Sequence, residues 1–86
     1  MPKISSFYGV DVYMYYNDHL PPHFHACHSG DEVLIAWGPL RVYRGQLSAS
    51  VLKQVLAWAA QHAAELDDNG QRARAGQPLA PIPPLP

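Results

Sequence analysis

Two adjacent prolines, Pro21 and Pro22, separate one run of alternating apolar residues from another. A proline fixes its own φ, offers no N–H, and pushes the preceding residue out of the helical region. No helix can cross this point, so the chain turns here and its flanks are left to strands and loops. The nine residues Asn17-Asp18-His19-Leu20-Pro21-Pro22-His23-Phe24-His25 also hold three of the five histidines. His19 falls on the turn. Beyond the corner, His23, Phe24, His25, Ala26 and Cys27 alternate polar and apolar, and alternate side chains of a strand share a face. His23, His25 and Cys27 are therefore expected on one side, and Phe24 and Ala26 on the other, toward a core.

The remaining strands follow from the same period of two. Between Phe7 and Tyr16 the even positions Tyr8, Val10, Val12, Met14 and Tyr16 are all apolar, which predicts one half-buried strand. A second is expected over His23 to His28, then a hairpin turn at Ser29-Gly30-Asp31. The third runs from Glu32 to Trp37, with Val33, Ile35 and Trp37 on one side and Leu34 and Ala36 on the other, and Gly38-Pro39 closes it. The fourth is Leu40 to Leu47, where Gly45 marks a bulge or a close backbone approach. The period then lengthens. Ser48 or Ser50 can cap a helix whose apolar face is Leu52, Val55, Leu56, Ala59, Ala63 and Leu66, widened by Val51, Trp58 and His62. Asp67-Asp68-Asn69-Gly70 is expected to end it, and since acidic residues oppose the dipole at a helix C-terminus, the last turn would fray or Asp67 and Asp68 would lie just outside it. The expected fold is α+β, a four-stranded antiparallel meander packed by one main helix. Residues 1–70 would form a single small domain. Residues 71–86 carry five of the nine prolines and would form an extended tail, docked on the domain or extending from it, with Leu79, Ile82 and Leu85 along one edge of a polyproline II segment. A ligand for a proline-recognition module is the other reading of that tail.

Composition narrows the function classes. Six Lys and Arg against seven Asp and Glu give a net charge of −1, which offers no general excess for coating nucleic acid. One cysteine excludes an internal disulfide, and no apolar run reaches the length a bilayer requires. The first residues show neither the basic segment nor the apolar stretch of an export signal, so a cytoplasmic location without membrane partners is expected.

Chemistry is concentrated at the corner. His23 and His25 on one strand face, joined by His19 from the turn, could supply three nitrogen ligands to a divalent transition metal such as zinc or manganese. Asp18 could be a fourth ligand or could orient a histidine, and an open position would activate water for hydrolysis. Without a metal, His23, His25 and Asp18 could share general acid and base work. The same histidines could instead be structural, bonding backbone or carboxylate groups and fixing the turn. Cys27 could be a thiolate ligand or nucleophile, or a small buried hydrophobe. His28 is expected to be solvated at its turn, and His62 to pack on a helix flank. Arg41, Tyr43 and Arg44, extended by Lys53, Arg72 and Arg74, could hold RNA phosphates while Tyr43 stacks on a base.

These residues carry a resemblance. Ser6-Phe7-Tyr8-Gly9 within Pro2 to Tyr16, the block Asn17-Asp18-His19 with Pro21-Pro22-His23-Phe24-His25-Ala26, and Ala73-Arg74-Ala75-Gly76-Gln77-Pro78-Leu79 leading to Ile82-Pro83-Pro84-Leu85 are similar to a bacterial family known as domain of unknown function 4160. Asn69-Gly70 stands where the family commonly has Asn-Trp, and Ala36-Trp37 where an acidic residue is common. Genes of the family often lie beside one for a second small protein, in the manner of toxin–antitoxin pairs. The resemblance thus implies an interaction module that binds the cognate small protein encoded nearby, or itself. The alternative is a metal-dependent hydrolase, a ribonuclease toxin using His19, His23 and His25, with RNA as substrate.

Overall fold

Tyr8 and Gly9 both take positive φ, 49° and 76°, the geometry of a two-residue hairpin turn whose twist matches its flanking strands. The chain therefore reverses where the alternating pattern predicts one continuous strand. In this computed structural model, which describes residues 2–16 and 21–86, β1 spans Lys3–Phe7 and β2 spans Val10–Tyr13. The sheet has five strands rather than four. Tyr8 misleads because an aromatic residue fits a strand pattern, yet here it stands on the turn with 58% of its surface exposed.

β3 (His23–His28), β4 (Asp31–Ala36) and β5 (Arg41–Gly45) follow, and the order β1-β2-β3-β4-β5 is an antiparallel meander. Register sorts the side chains. Val12 pairs with Ala26, Ala26 with Val33, Phe24 with Ile35 and Ile35 with Val42, so these residues share one face. Tyr13, His25, Leu34 and Arg44 are aligned on the other, beside Asp11, Cys27 and Glu32, and beside His23, Ala36 and Arg41. The β4–β5 register shifts between Leu34 and Ile35, which leaves Tyr43 as the extra residue of a bulge.

Both helices cover the first face. α1 is Ala49–Gln61 and α2 is Ala63–Arg74, meeting at His62, whose φ of −121° breaks the helical run. Ser48 stands at the N-cap of α1 without a side-chain capping bond. Val55, Trp58 and Ala59 of α1 and Leu66 and Ala73 of α2 close a core with Val10, Val12, Phe24, Ala26, Val33 and Ile35. Trp58 is its centre, fully buried, with ring centroids 5.5 Å from Phe7 and 5.6 Å from Phe24. α2 does not stop at Gly70. Asp68 pairs with Arg72 at 2.7 Å and Gln71 donates to Asp67, so the acidic run is interior to the helix and satisfied one turn on. The stop lies at Gly76 (φ 70°), where Gln77 N–H donates to Arg72 C=O and Gly76 N–H to Ala73 C=O, a Schellman closure with Arg72 and Arg74 favourable in the last turn. Gly70 lies against the Trp37 ring, which a Cβ there would meet closely, at 3.1 Å.

Residues 75–86 add no helix or strand, but Leu79, Ile82 and Leu85 pack on the core. Among the described residues no helix is long and apolar enough to cross a membrane.

Candidate functional site

The face opposite the helices carries a row of rings. Tyr13 stacks with Tyr15 at 6.5 Å, Tyr15 meets His25 edge-on at 4.5 Å, His25 lies 5.2 Å from His23, and His23 lies 5.5 Å from Tyr43. Strands β2 and β3 set the first contacts by direct pairing, since Tyr13 stands opposite His25. The bulge in β5 sets the last, by placing Tyr43 beside Arg44 rather than across from it. No described helix or strand lies over this row. Even so, His23 is only 3% exposed, and Leu34 and Ala36 beside it are buried too.

Each imidazole is held by Nδ1. His23 Nδ1 lies 2.7 Å from the Pro21 carbonyl oxygen, which can only accept, so that nitrogen carries the proton. His25 Nδ1 lies 3.1 Å from Glu32 Oε2 and donates in the same way to a carboxylate. In a neutral ring the lone pair then resides on Nε2. The prolines also serve the sheet directly, because Pro22 C=O accepts from Trp37 N–H at 3.4 Å. The corner is thus built into β3 and its continuation with β4 by main-chain and ring hydrogen bonds.

Glu32 has a second effect. Cys27 Sγ lies 3.8 Å from the same Oε2, and the thiol is pushed above its ordinary pKa by burial first and then by the Glu32 and Asp11 carboxylates. A thiol held protonated is a poor nucleophile and a poor metal ligand. Cys27 is half-buried, with Glu32 as the acceptor beside its thiol.

Of the residues singled out in the sequence, His23 and His25 stand together as expected, with Cys27 on their side. Asp18 and His19 lie outside the described residues. Among the described residues no three His, Cys, Asp or Glu side chains are grouped so as to hold a metal ion. Arg41, Tyr43 and Arg44 share β5 and, by register, the ring-bearing face; neither arginine has an ion-pair partner among the described residues. Lys53 and Arg74 sit on the helices, across the sheet, and Arg72 is engaged with Asp68, so these three do not extend the patch. His28 is half-buried, with its ring near the Gly9 turn. His62 packs on Trp58 at 5.8 Å and bonds Glu65 at 2.5 Å, on the helical side.

Sequence reasoning passed over Glu32, Tyr13 and Tyr15. Counting back across the Ser29-Gly30 turn would have placed Glu32 opposite Cys27, and the parity of Asp11 would have placed both tyrosines beside it.

The family model described as Domain of unknown function (DUF4160) matches residues 9–69. The chain belongs to this family. No curated protein and no solved structure matches it. The matched part of the DUF4160 domain takes in β2 through β5, α1 and α2 as far as Asn69, and so contains the whole row of rings. β1 and residues 70–86 lie outside the matched stretch.

Proposed function

We propose that this chain is a small protein-interaction module, one half of a toxin–antitoxin-like pair, and that it binds the protein encoded beside it through the ring-bearing side of the sheet. The observation that supports this most is the continuous row Tyr13–Tyr15–His25–His23–Tyr43 along one face of the sheet. Tyrosines are typical anchors of protein interfaces, because a large rigid ring loses little entropy and keeps a polar tip. The rim is mixed in charge, with Lys3 and Asp11 at one side and Glu32 and Arg44 at the other, which suits a protein partner better than a polyanion. In this reading the His-rich corner is structural, holding β3 and β4 so that the rings stay in line. The test is co-purification with the neighbouring gene product. The wild-type chain should retain it, whereas a Tyr15→Ser/Tyr43→Ser variant with an unchanged circular dichroism spectrum should lose at least tenfold in affinity. Equal retention by both would refute the reading.

A second reading is favoured by one specific observation. Metal-binding histidines commonly donate their other ring N–H to a carbonyl or carboxylate, which is how His23 and His25 are held. With His19 as the third nitrogen ligand and Asp18 beside it, these would make a hydrolytic centre for RNA, and Arg41 and Arg44 would hold phosphate. Elemental analysis and an RNA-cleavage assay separate the two readings: stoichiometric zinc or manganese together with RNA cleavage, both lost in a folded His23→Ala/His25→Ala variant, would support the hydrolase, whereas metal without cleavage would leave the site structural.

A further inference from the structure

Residues 78–86 are gripped by a series of side chains that read their backbone. Asn69, fully buried, donates through Nδ2 to Ala80 C=O at 2.8 Å and accepts from Ala80 N–H through Oδ1 at 2.8 Å. Trp58 Nε1 donates to Pro83 C=O at 2.9 Å. The Tyr8 hydroxyl donates to the backbone oxygen of Pro86. Ile82 N–H donates to Ile4 C=O at 2.8 Å, on the free edge of β1. Three of the four oxygens met by side-chain donors belong to residues 80, 83 and 86, three apart; the fourth, on Pro78, is met by Arg72 outside that spacing. The side chains turned into the core belong to residues 79, 82 and 85, again three apart. Three residues make one turn of polyproline II, which has no internal hydrogen bonds and shows its backbone to whatever lies beside it. Donors and apolar hollows repeating at that period are what a surface needs to recognise such a helix.

The grip also tolerates proline. Five of the residues from Pro78 to Pro86 have no N–H to satisfy, and of the four N–H groups that remain, those of Ala80 and Ile82 are both bonded. At its near end the segment is only lightly joined to the body. The Schellman closure completes α2 with its own residues, and positions 74–78 are all exposed. From there to Ala80 one polar contact is made, Arg72 to Pro78 C=O at 3.3 Å.

We infer that Tyr8, Trp58, Asn69 and the β1 edge form a docking groove for extended proline-rich segments with apolar residues three apart, and that residues 78–86 are its resident, exchangeable ligand. This groove is distinct from the ring-bearing sheet face and does not depend on that face binding anything. Its specificity is for conformation and spacing, with Ile82, 4% exposed, as the deepest anchor.

The experiment starts from the full chain with a protease site inserted between Gly76 and Gln77. After cleavage the Gln77–Pro86 fragment should stay with the body on gel filtration and should exchange with a fluorescent synthetic Gln77–Pro86 peptide, read by anisotropy. Replacing Ile82 by Asp in that peptide, or Asn69 by Ala in the body, should weaken binding at least tenfold. A peptide with Pro81, Pro83 and Pro84 replaced by Ala should bind several-fold more weakly, because it must be ordered on docking. Three results would overturn the inference: a folded body that releases the fragment and takes up no peptide, a body that loses its circular dichroism once the fragment leaves, or a retained fragment that never exchanges. Equal binding of the alanine peptide would overturn the proline-rich specificity.

Discussion

The two faces of β3 are made from neighbouring residues and are held together in different ways. Phe24 and Ala26 are fully buried under Trp58, Val55 and Ala59, and their contribution is removal of apolar area from water. On the other side His23 and His25 are held by directed bonds, Nδ1 to Pro21 C=O and Nδ1 to Glu32, and by ring contacts to Tyr15 and Tyr43. The first face depends on volume and the second on orientation. Loss of a side chain should therefore damage stability most on the helical side and, if the proposed function holds, recognition on the ring-bearing side.

The largest effect should come from Trp58→Ala, which empties the centre of the core and removes the donor to Pro83. A loss of about 3–5 kcal/mol is expected in denaturant unfolding, enough to unfold a chain of this size. Asn69→Ala should follow at about 1–3 kcal/mol, since it strands the Ala80 N–H and C=O, with the melting temperature falling accordingly. On the ring-bearing face Tyr43→Ser should cost less than either, with about 1 kcal/mol for the ring contact with His23 that it removes. If it destabilised as much as Trp58→Ala, the contrast between the faces would collapse. The smallest effect concerns Cys27. Glu32→Gln removes a charge that raises the thiol's pKa, so more thiolate is present at pH 8 and alkylation by iodoacetamide should be several-fold faster. The same shift carries a sign for stability. The folded thiol keeps its proton to higher pH than the unfolded one, so its contribution is complete at neutral pH and is lost as pH rises through the folded value.

Alternation of residues was enough to place β3, β4 and β5 and to sort the faces of β3 and β4, because a period of two is reported by the residues themselves; in β5 the bulge puts Arg44 on the face of Arg41 rather than that of Val42. It missed β1, since a turn made by Tyr8 and Gly9 has no Asn-Gly signature and the apolar pattern runs straight through it. The end of the helix was misplaced for a related reason. Asp67-Asp68-Asn69-Gly70 has the composition of a terminus, but Asn69 is spent on Ala80 and Gly70 lies against Trp37, and both partners are distant in sequence. The pairing of His23 with His25 was legible from spacing. The tyrosines and Glu32 around them were not, because they join the site only through strand register and a one-residue bulge.

At Gly45 β5 is pressed against β4 so closely that a Cβ would lie 2.3 Å from the Glu32 carbonyl oxygen, which already accepts from Gln46 N–H. Any side chain there would pry the edge strand loose and carry Tyr43 and Arg44 with it. A genetic screen for lost binding would therefore score position 45 as strongly as a contact residue, although it has no side chain to touch a partner with. The yield of soluble, folded protein would separate that hit from a substitution at Tyr43.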